Sequence, residues 1–329
     1  MKLLAVVVIY KMQPSHSPTL QTLLRSRDFS RETGSDISIL IWDNTPNGQT
    51  PTDLPPGLRY VSAPHNPGLS TAYNHALIVA QNEGCDWLLT LDQDTVLPDS
   101  FLPGIAAIAD RLQDELTVAA ILPGVVGNNK RLSPFRFALG AIPRVLPDGF
   151  IGVPPDAIYA VNSGATLRIA SLRRIEGYNP HFPIDISDID LFHRISLAGM
   201  SAYVAGDLVI AHDFSLLNKR GRMSLERYRN MLRDECAFWD MNMNGFARTE
   251  RMVRLAGRIC KDIFRPGISE FQRITFGEIA RRLVTRRSTR IRGWKEWTDA
   301  RRASATRRGV DMVLPAGSFD DCCQSETLR

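Results

Sequence analysis

The sequence predicts an α/β protein built on a doubly wound, mostly parallel sheet, with a helical, basic extension at its C-terminal end. The first ~120 residues alternate short apolar runs with helical patterns, which is typical of successive βαβ units. Charge is the second observation: residues 248–308 hold 18 Lys or Arg against 6 Asp or Glu, a net +12, so the rest of the chain carries −7. We therefore predict an α/β domain over residues 1–217, a basic helical region over 218–308 and a disordered tail over 309–329.

The elements follow in chain order from these patterns. Strands are predicted for the apolar runs Leu3–Ile9, Ile37–Trp42, Leu58–Val61, Trp87–Leu91, Val118–Leu122 and Ser201–Ala211. Helices are predicted for Thr19–Arg27, Leu69–Asn82 and Phe101–Leu112. The stretch Pro123–Ala157 is rich in Pro and Gly, which predicts a long loop or hairpin. From Ser224 onward the pattern is helical and rich in arginine.

Cysteine usage and hydrophobicity indicate the compartment. The five cysteines are scattered, odd in number and without metal-ligand spacing, which favours a reducing environment. No run approaches the roughly 20 apolar residues that a membrane-spanning helix needs. We expect a cytoplasmic protein, either free or bound to a surface.

Two carboxylates stand where the fourth apolar run ends, in Leu91-Asp92-Gln93-Asp94-Thr95. Residues i and i+2 of a strand point the same way, so Asp92 and Asp94 can share a hard divalent cation that cancels their repulsion. Such a metal could bind a diphosphate. The alternative is a strand-end turn with two solvated Asp residues.

Two other loops follow predicted strands. Asp43 closes the second apolar run, where its carboxylate could accept a hydrogen bond from a nucleobase or a ribose hydroxyl, or could simply cap a turn. The loop from His65 to Asn74 opens into a helix. Gly68 allows close backbone approach, and the new helix offers free N–H groups for phosphate or sugar oxygens. An ordinary Asn-Pro-Gly turn is the competing interpretation.

Three carboxylates, Asp185, Asp188 and Asp190, crowd the first turn of another predicted helix. The buried face of this helix is predicted to consist of Ile189, Phe192, Ile195 and Leu197. Acidic residues are favourable at any helix N-terminus, so a structural role is one explanation. A partly desolvated member of the cluster could instead have a pKa high enough to take a proton from an attacking hydroxyl.

These motifs together resemble a known family. Asn66-x-Gly68 with Asn74, followed by Asp92-Gln93-Asp94, is similar to the nucleotide-sugar site of glycosyltransferase family 2, and the Asp-Gln-Asp form resembles its bacterial rhamnosyltransferase branch. The resemblance covers roughly residues 3–217. It continues in Asn162-Ser163-Gly164, Ile175-Glu176-Gly177-Tyr178 and the segment from Ile184 to Leu191, with Arg194 and Gly199.

The resemblance implies an inverting transferase of the GT-A fold that binds a nucleoside diphosphate sugar and Mg or Mn. In that reading Tyr10 and Asp43 contact the base, Asp92 the ribose or sugar, and Asp94 the metal. The rest of the implied donor site is Asn66, Gly68, Asn74 and Gln93. Asp188 matches the family's general base, and the implied acceptor side is formed by Ser163, Gly164, Asp185 and Asp190.

His212, after the strand Ser201–Ala211, has two interpretations. A lone His beside a strand is commonly a packed structural residue, whereas the resemblance favours a third metal or diphosphate contact. The chain departs from the family at Ser187, where Glu is frequent, and at Pro183 and Leu191, where aromatic residues are frequent.

The resemblance favours transfer of L-rhamnose from dTDP-rhamnose to a hydroxyl of a glycan or lipid-linked acceptor, with a UDP-hexose donor as the alternative. Asp92-x-Asp94 also resembles the haloacid-dehalogenase phosphatases, but there the motif lies near the start of the fold, whereas three βα elements precede it here. A non-catalytic nucleic-acid or membrane adaptor would leave the carboxylates unexplained.

The basic region from Arg281 to Arg308 includes Trp294 and Trp297. Cations with interleaved Trp suit a helix lying on an anionic membrane surface, so we expect a possible peripheral location on the inner face of the cytoplasmic membrane. A solvated helix face is the alternative. Nucleic-acid binding is disfavoured because neither a recognition-helix signature nor zinc-ligand spacing is present.

Overall fold

The computed structural model of the protein describes residues 1–30, 34–138, 142–212, 223–260 and 269–306. Within these residues the chain forms two compact units. The first, the α/β unit, holds residues 1–136 and 145–212, and the second, the helical unit, holds residues 137–144 and 223–304. The predicted tail 309–329 lies outside the described residues.

A central mixed sheet organises the α/β unit. Its strands are β1 (Lys2–Ile9), β2 (Asp36–Asp43), β3 (Arg59–Ser62), β4 (Trp87–Asp92), β5 (Thr95–Val96), β6 (Val118–Gly127), β7 (Lys130–Ser133), β10 (Ile151–Gly152), β11 (Ala165–Arg168) and β12 (Ser201–His212). The order is β10-β12-β6-β11-β4-β1-β2-β3, with β5 paired to β12 and β7 to β6. The pairs β1–β2, β1–β4, β2–β3 and β6–β12 are parallel, while β11 runs antiparallel between β4 and β6.

The helices of this unit cover both faces of the sheet. They are α1 (Pro18–Ser30), α2 (Leu69–Asn82), α3 (Phe101–Arg111), α4 (Ile169–Arg174) and α5 (Ser187–Leu197). Alternate residues of β1 from Leu3 to Ile9 pack in one apolar cluster with side chains of α1 and α3, while α2 contacts β1 and β4 without joining that cluster. This arrangement confirms the predicted doubly wound class, and β1 is a continuous apolar run because a central strand is buried on both faces.

The Pro- and Gly-rich stretch 123–157 folds into short strands. Beyond the end of β6 it contains β7, β10 and a separate two-stranded sheet of β8 (Phe135–Ala138) and β9 (Ile142–Val145). The hairpin alternative is therefore confirmed. The predicted buried face of α5 needs one correction: Leu197 is 65% exposed, because it stands in the last turn just before the chain leaves the helix at Ala198.

The helical unit consists of α6 (Leu225–Asn242), α7 (Gly245–Cys260), α8 (Glu270–Val284) and α9 (Arg287–Thr306). Its small apolar core contains Leu232, Cys236 and Leu255. Asp240, a buried carboxylate of α6, accepts hydrogen bonds from Arg282 of α8 and Arg290 of α9. None of the described helices is both long enough and apolar enough to cross a membrane.

The two tryptophans of α9, Trp294 and Trp297, differ in their exposure to solvent. Trp294 is buried and donates its indole N–H to Asp234 at 2.9 Å. Trp297 is partly exposed and has guanidinium groups over its ring, Arg233 at 5.1 Å and Arg301 at 4.6 Å. The expectation that Trp294 contacts a membrane surface is therefore wrong, because its ring and its N–H are already used within the helical unit.

Candidate active site

The predicted site residues of the first half of the chain lie at the carboxyl ends of parallel strands. Tyr10 follows β1, Asp43 ends β2 and Asp92 ends β4, and these three strands are neighbours in the sheet. Ligands of open α/β sheets bind at this edge. The fold thus brings together residues that are far apart in sequence.

Asp92 is held by hydrogen bonds on both carboxylate oxygens. Its Oδ2 accepts from Ser163 Oγ at 2.7 Å, and its Oδ1 accepts from the Tyr73 hydroxyl at 3.4 Å. The Gly164 N–H donates to the Thr90 carbonyl at 2.8 Å, which fixes the 162–164 segment beside β4. Gly164 has a φ of 83°, and a Cβ there would approach Ile210 and Pro123 at 2.5 and 2.8 Å. The Ser163 hydroxyl therefore orients the Asp92 carboxylate, and Gly164 holds the segment that carries Ser163 beside β4.

Asp94 and His212 meet because β5 pairs with the end of β12. His212 lies opposite Thr95 in this pairing, and its Nε2 is 3.6 Å from Asp94 Oδ1. Its Nδ1 is 2.9 Å from the Thr95 hydroxyl. His212 is buried, whereas the Asp94 side chain is 21% exposed. The pair offers one carboxylate and one imidazole to a common point.

The donor atoms of this pair fit a divalent cation whose remaining ligands come from a bound diphosphate. Carboxylate oxygen suits Mg²⁺ and Mn²⁺, and an added imidazole nitrogen is the softer ligand, which favours Mn²⁺ over Mg²⁺. Among the residues that the structure describes, no group of three or more His, Cys, Asp or Glu side chains is arranged to hold a metal ion. Within the described part of the chain, Asp94 and His212 are the two ligands that this pair would supply.

Asp188 stands at the start of α5, next to Ile186, which has a left-handed φ of 67°. Its Oδ1 accepts the Ile189 N–H at 2.8 Å. Burial raises the pKa of Asp188 to about 7, and the negative charges of Asp92 and Asp185 add to the rise, while backbone hydrogen bonds oppose it. A carboxylate with a pKa near the working pH is well suited to accept a proton.

The neighbouring carboxylates differ from Asp188. Asp190 is buried and accepts from Arg194 Nε at 2.7 Å, and Arg194 also donates to the Ile175 carbonyl at 2.6 Å. This ion pair ties α5 to the preceding turn, which gives Asp190 a structural role, and its place on the acceptor side stays a prediction. Asp185 is partly exposed, and its charge acts on Asp188.

Asp43 is fully buried. Its Oδ1 accepts the Thr45 N–H at 2.8 Å, and its Oδ2 accepts the Tyr60 hydroxyl. Burial, the hydrogen bond and the charge of Asp43 all raise the pKa of Tyr60. These contacts are those of the turn-capping alternative, and contact of Asp43 with a base stays a prediction.

The Asn66–Asn74 loop is packed by protein rather than left open. The Leu69 and Ser70 N–H groups donate to the Pro183 carbonyl at 2.6 and 3.2 Å, so two of the N–H groups expected to be free at the start of α2 are already bonded there. A Cβ on Gly68, which has a φ of 97°, would lie 2.4 Å from the same carbonyl oxygen. Gly68 is therefore required by the close approach of Pro183, and Asn66 has a φ of 48° in the turn before it.

Asn74 also serves the fold. Its Oδ1 accepts the Tyr178 N–H and its Nδ2 donates to the Tyr178 carbonyl, both at 2.8 Å. These bonds tie the amide to a turn about 100 residues away, and contact of Asn74 with the donor stays a prediction. Gln93 has a similar positioning role, because its Oε1 accepts the Tyr10 N–H at 2.7 Å. Tyr10 itself is 42% exposed at the sheet edge, where a base could stack.

Sequence reasoning missed several residues that build this site. The Tyr178 hydroxyl donates to Asn162 Oδ1 at 2.9 Å, and Asn162 Nδ2 donates to Ser187 Oγ at 3.3 Å, which joins the centre of the site to the start of α5. Tyr73 and Tyr178 lie with ring centroids 4.9 Å apart. The sequence analysis gave no site role to either tyrosine, although Tyr178 stands in one of the motifs of the resemblance. The missed signal was their hydroxyls, since a buried tyrosine hydroxyl usually needs a polar partner.

Comparisons with known proteins agree with this architecture. No curated protein matches the chain by sequence. The crystal structure of S. aureus TarS is similar with a TM-score of 0.50 and 15% identity, covering 93% of this chain and 54% of TarS, so the chain spans about half of that protein. TarS 1–349 gives 0.47 and 14%, covering 92% of each chain. Its complex with UDP gives 0.45 and 16%, covering 80% of this chain and 73% of TarS 1–349.

At such low identity the likeness to TarS shows a shared fold. A comparison with protein-family models adds a match by sequence, which covers somewhat less than half of the chain. Residues 6–151, which contain the strand ends with Tyr10, Asp43, Asp92 and Asp94, match the family model described as Glycosyl transferase family 2. Over these residues the chain is therefore similar to a glycosyl transferase family 2 domain.

Proposed function

We propose that the enzyme transfers a sugar from a nucleoside diphosphate donor to an acceptor hydroxyl with inversion at the anomeric carbon. The observation that carries this proposal is the environment of the Asp188 carboxyl group. Burial raises its pKa to about 7, and the nearby charge of Asp92 contributes to the rise. Asp188 takes the proton of the acceptor hydroxyl as its oxygen attacks the sugar C1. The bond from C1 to the diphosphate oxygen breaks as the new C–O bond forms.

The other residues of the site bind and orient the donor and the cation. Asp92, fixed by Ser163 and Tyr73, accepts hydrogen bonds from hydroxyls of the donor. Asp94 and His212, whose Oδ1 and Nε2 are 3.6 Å apart, would hold Mn²⁺ or Mg²⁺. Such a cation would supply positive charge to neutralise the departing diphosphate. The phosphatase alternative gains no support, because the Asp92-x-Asp94 pair follows the fourth strand in chain order and not the first.

For the donor we propose dTDP-L-rhamnose, with a UDP-hexose as the alternative, and for the acceptor a hydroxyl of a glycan or a lipid-linked oligosaccharide. The support is the Asp92-Gln93-Asp94 form of the strand-end motif. Gln93 fixes the backbone of Tyr10, the residue that we place against the base. The nucleotide preference should therefore depend on this contact.

A thermal-shift screen of dTDP, UDP and GDP, each with and without Mn²⁺, tests the donor. A ligand at 100 times its Kd stabilises by about 2.7 kcal/mol, which corresponds to roughly 5–10 °C for a domain of this size. We expect the largest shift with dTDP and Mn²⁺, and none with thymidine and Mn²⁺. A larger shift with UDP would favour the UDP-hexose alternative. Equal melting temperatures with and without every diphosphate would contradict a nucleotide-sugar enzyme.

We also propose that the helical unit attaches the enzyme to the cytoplasmic face of a membrane that carries the acceptor. The support is the outward face of α7. Its exposed residues carry no charge: they are Gly245, Phe246, Thr249, Val253, Ala256, Gly257 and Cys260. The charged residues of the same helix turn to protein partners, as Arg254 does with Glu250 and Arg258 with Glu235.

Phe246 and Val253 are 64% and 67% exposed, which is unfavourable in water and suits an interfacial helix. Arg229, Arg286 and Arg292 are exposed cations of the same unit, and cations are attracted to anionic headgroups. This assignment moves the membrane-facing surface from the tryptophans of α9 to α7.

Co-sedimentation of the full chain with vesicles tests this attachment. We expect pelleting with phosphatidylglycerol vesicles and less with phosphatidylcholine vesicles, and salt should weaken the binding to phosphatidylglycerol. Val253→Asp should release the protein, while Leu116→Asp, at an equally exposed position of the α/β unit, should not. Equal pelleting with both lipids, or with both variants, would contradict the proposal, and retention on RNA at the same salt would favour the nucleic-acid alternative.

A further inference from the structure

A chain of polar side chains connects Asp92, the donor-binding carboxylate, with Asp94. Ser163 Oγ lies 2.7 Å from Asp92 Oδ2, and Thr95 Oγ1 lies 3.2 Å from Ser163 Oγ. Thr95 Oγ1 is also 2.9 Å from His212 Nδ1, and His212 Nε2 is 3.6 Å from Asp94 Oδ1. Thr95, Ser163 and His212 are all buried, so these contacts are shielded from bulk water. We call this chain the relay.

The direction of each hydrogen bond in the relay follows from counting protons. A carboxylate only accepts, so Ser163 must donate its single hydroxyl proton to Asp92. The Asp92 N–H donates to the same Ser163 oxygen at 3.2 Å, which uses one acceptor position. The contact between Ser163 and Thr95 can then be a hydrogen bond only if Thr95 is the donor.

The same count decides the state of His212. Because the one proton of the Thr95 hydroxyl points to Ser163, the Thr95 oxygen can only accept from His212 Nδ1. A neutral imidazole carries one N–H, so that proton sits on Nδ1 and the lone pair is on Nε2. Nε2 is the nitrogen that faces Asp94.

We propose that Thr95 and Ser163 are positioning residues that hold His212 in the Nδ1–H tautomer and so present the Nε2 lone pair to the divalent cation bound by Asp94. The inference deepens the proposed function and rests on it for the metal. In the other tautomer Nε2–H would point toward the Asp94 carboxylate and could not bind a cation. The relay therefore disfavours the Nε2–H tautomer of His212, which would compete with metal binding.

Mn²⁺ affinity is one readout, measured from the electron paramagnetic resonance signal of free Mn²⁺. Thr95→Val removes the hydroxyl and keeps the branched shape, and we expect a roughly 10–100-fold weaker Kd for Mn²⁺, the range for loss of a group that orients a metal ligand. Thr95→Ser keeps the hydroxyl and should restore binding to within a few-fold. Equal Mn²⁺ affinity of Thr95→Val and the native protein would overturn the proposal.

The tautomer itself is the second readout and requires neither metal nor substrate. Long-range proton–nitrogen NMR distinguishes the two nitrogens of His212, whose signals are assigned by their loss in His212→Asn. We expect the metal-free protein to carry the proton on Nδ1, and Thr95→Val to show a mixture or Nε2–H. Nε2–H in the native protein would overturn the relay even if the chain transfers sugars. If His212 carries its proton on Nδ1 but the protein has no transferase activity, the result would contradict the proposed function and not the relay.

Discussion

Asp188→Asn is expected to lower the rate of sugar transfer by roughly 10²–10⁴-fold, the contribution of a positioned general base, while donor binding is kept. The reason is that Asn retains the acceptor for the Ile189 N–H but cannot take a proton from the attacking hydroxyl. The measurement is a steady-state assay with the donor from the nucleotide screen, together with the donor Kd. Asp114→Asn, which removes an exposed carboxylate elsewhere in the α/β unit, is the matched control and should transfer normally.

The pH dependence of the native enzyme gives a second check on Asp188. A base works in its deprotonated form, so the transfer rate should rise with pH through about 7 and then level off. Asp185→Asn removes a charge that raises the pKa of Asp188, and its midpoint should therefore lie at lower pH. If Asp185→Asn were inactive at every pH while Asp188→Asn transferred normally, the base would be misassigned.

Stability should change in the opposite sense to activity. The folded-state pKa of Asp188 is higher than that of an Asp in the unfolded chain, so the carboxyl group destabilises the fold progressively as pH rises from about 4 to about 7. Asp188→Asn removes this buried charge. Its melting temperature should exceed that of the native protein at about pH 8 and differ little at about pH 4.

Asp94→Asn is expected to abolish Mn²⁺-dependent donor binding and to leave the fold intact. The loss should exceed the 10–100-fold that removal of an orienting group costs, because the carboxylate is one of only two protein ligands that we propose. Calorimetric titration of the nucleoside diphosphate with and without Mn²⁺ measures the effect. Asp99→Asn, a half-exposed carboxylate five residues further along, is the control. Unchanged Mn²⁺-dependent binding in Asp94→Asn would remove Asp94 from the metal site.

The strands and helices of the α/β unit could be predicted from sequence because their signals are local. A central strand buried on both faces, such as β1 or β4, must be a largely apolar run, and the first charged residue that follows marks its end. Asp92 and Asp94 were found in this way. Their convergence with His212 depends on the pairing of β5 with β12, across more than 100 residues, and for this residue the sequence alone left a structural role open.

What the sequence could not supply is the partner of each polar side chain. Asn74 and Gly68 belong to a motif typical of donor sites, yet their nearest partners are the backbones of Tyr178 and Pro183. Trp294 stands among cations in the sequence, but Asp234 accepts its N–H inside the helical unit. Such choices are made by tertiary contacts, which no local pattern of charge or hydrophobicity encodes.

The most direct test of the central claim is the anomeric configuration of the first product. A single displacement, in which Asp188 activates the acceptor hydroxyl, must invert the configuration at C1. Carbon–proton NMR of the glycoside formed from the donor that the screen identifies, or of the free sugar released when water is the acceptor, reads the one-bond coupling between C1 and its proton before mutarotation. The account predicts the configuration opposite to that of the donor, and a product with the configuration of the donor would contradict it.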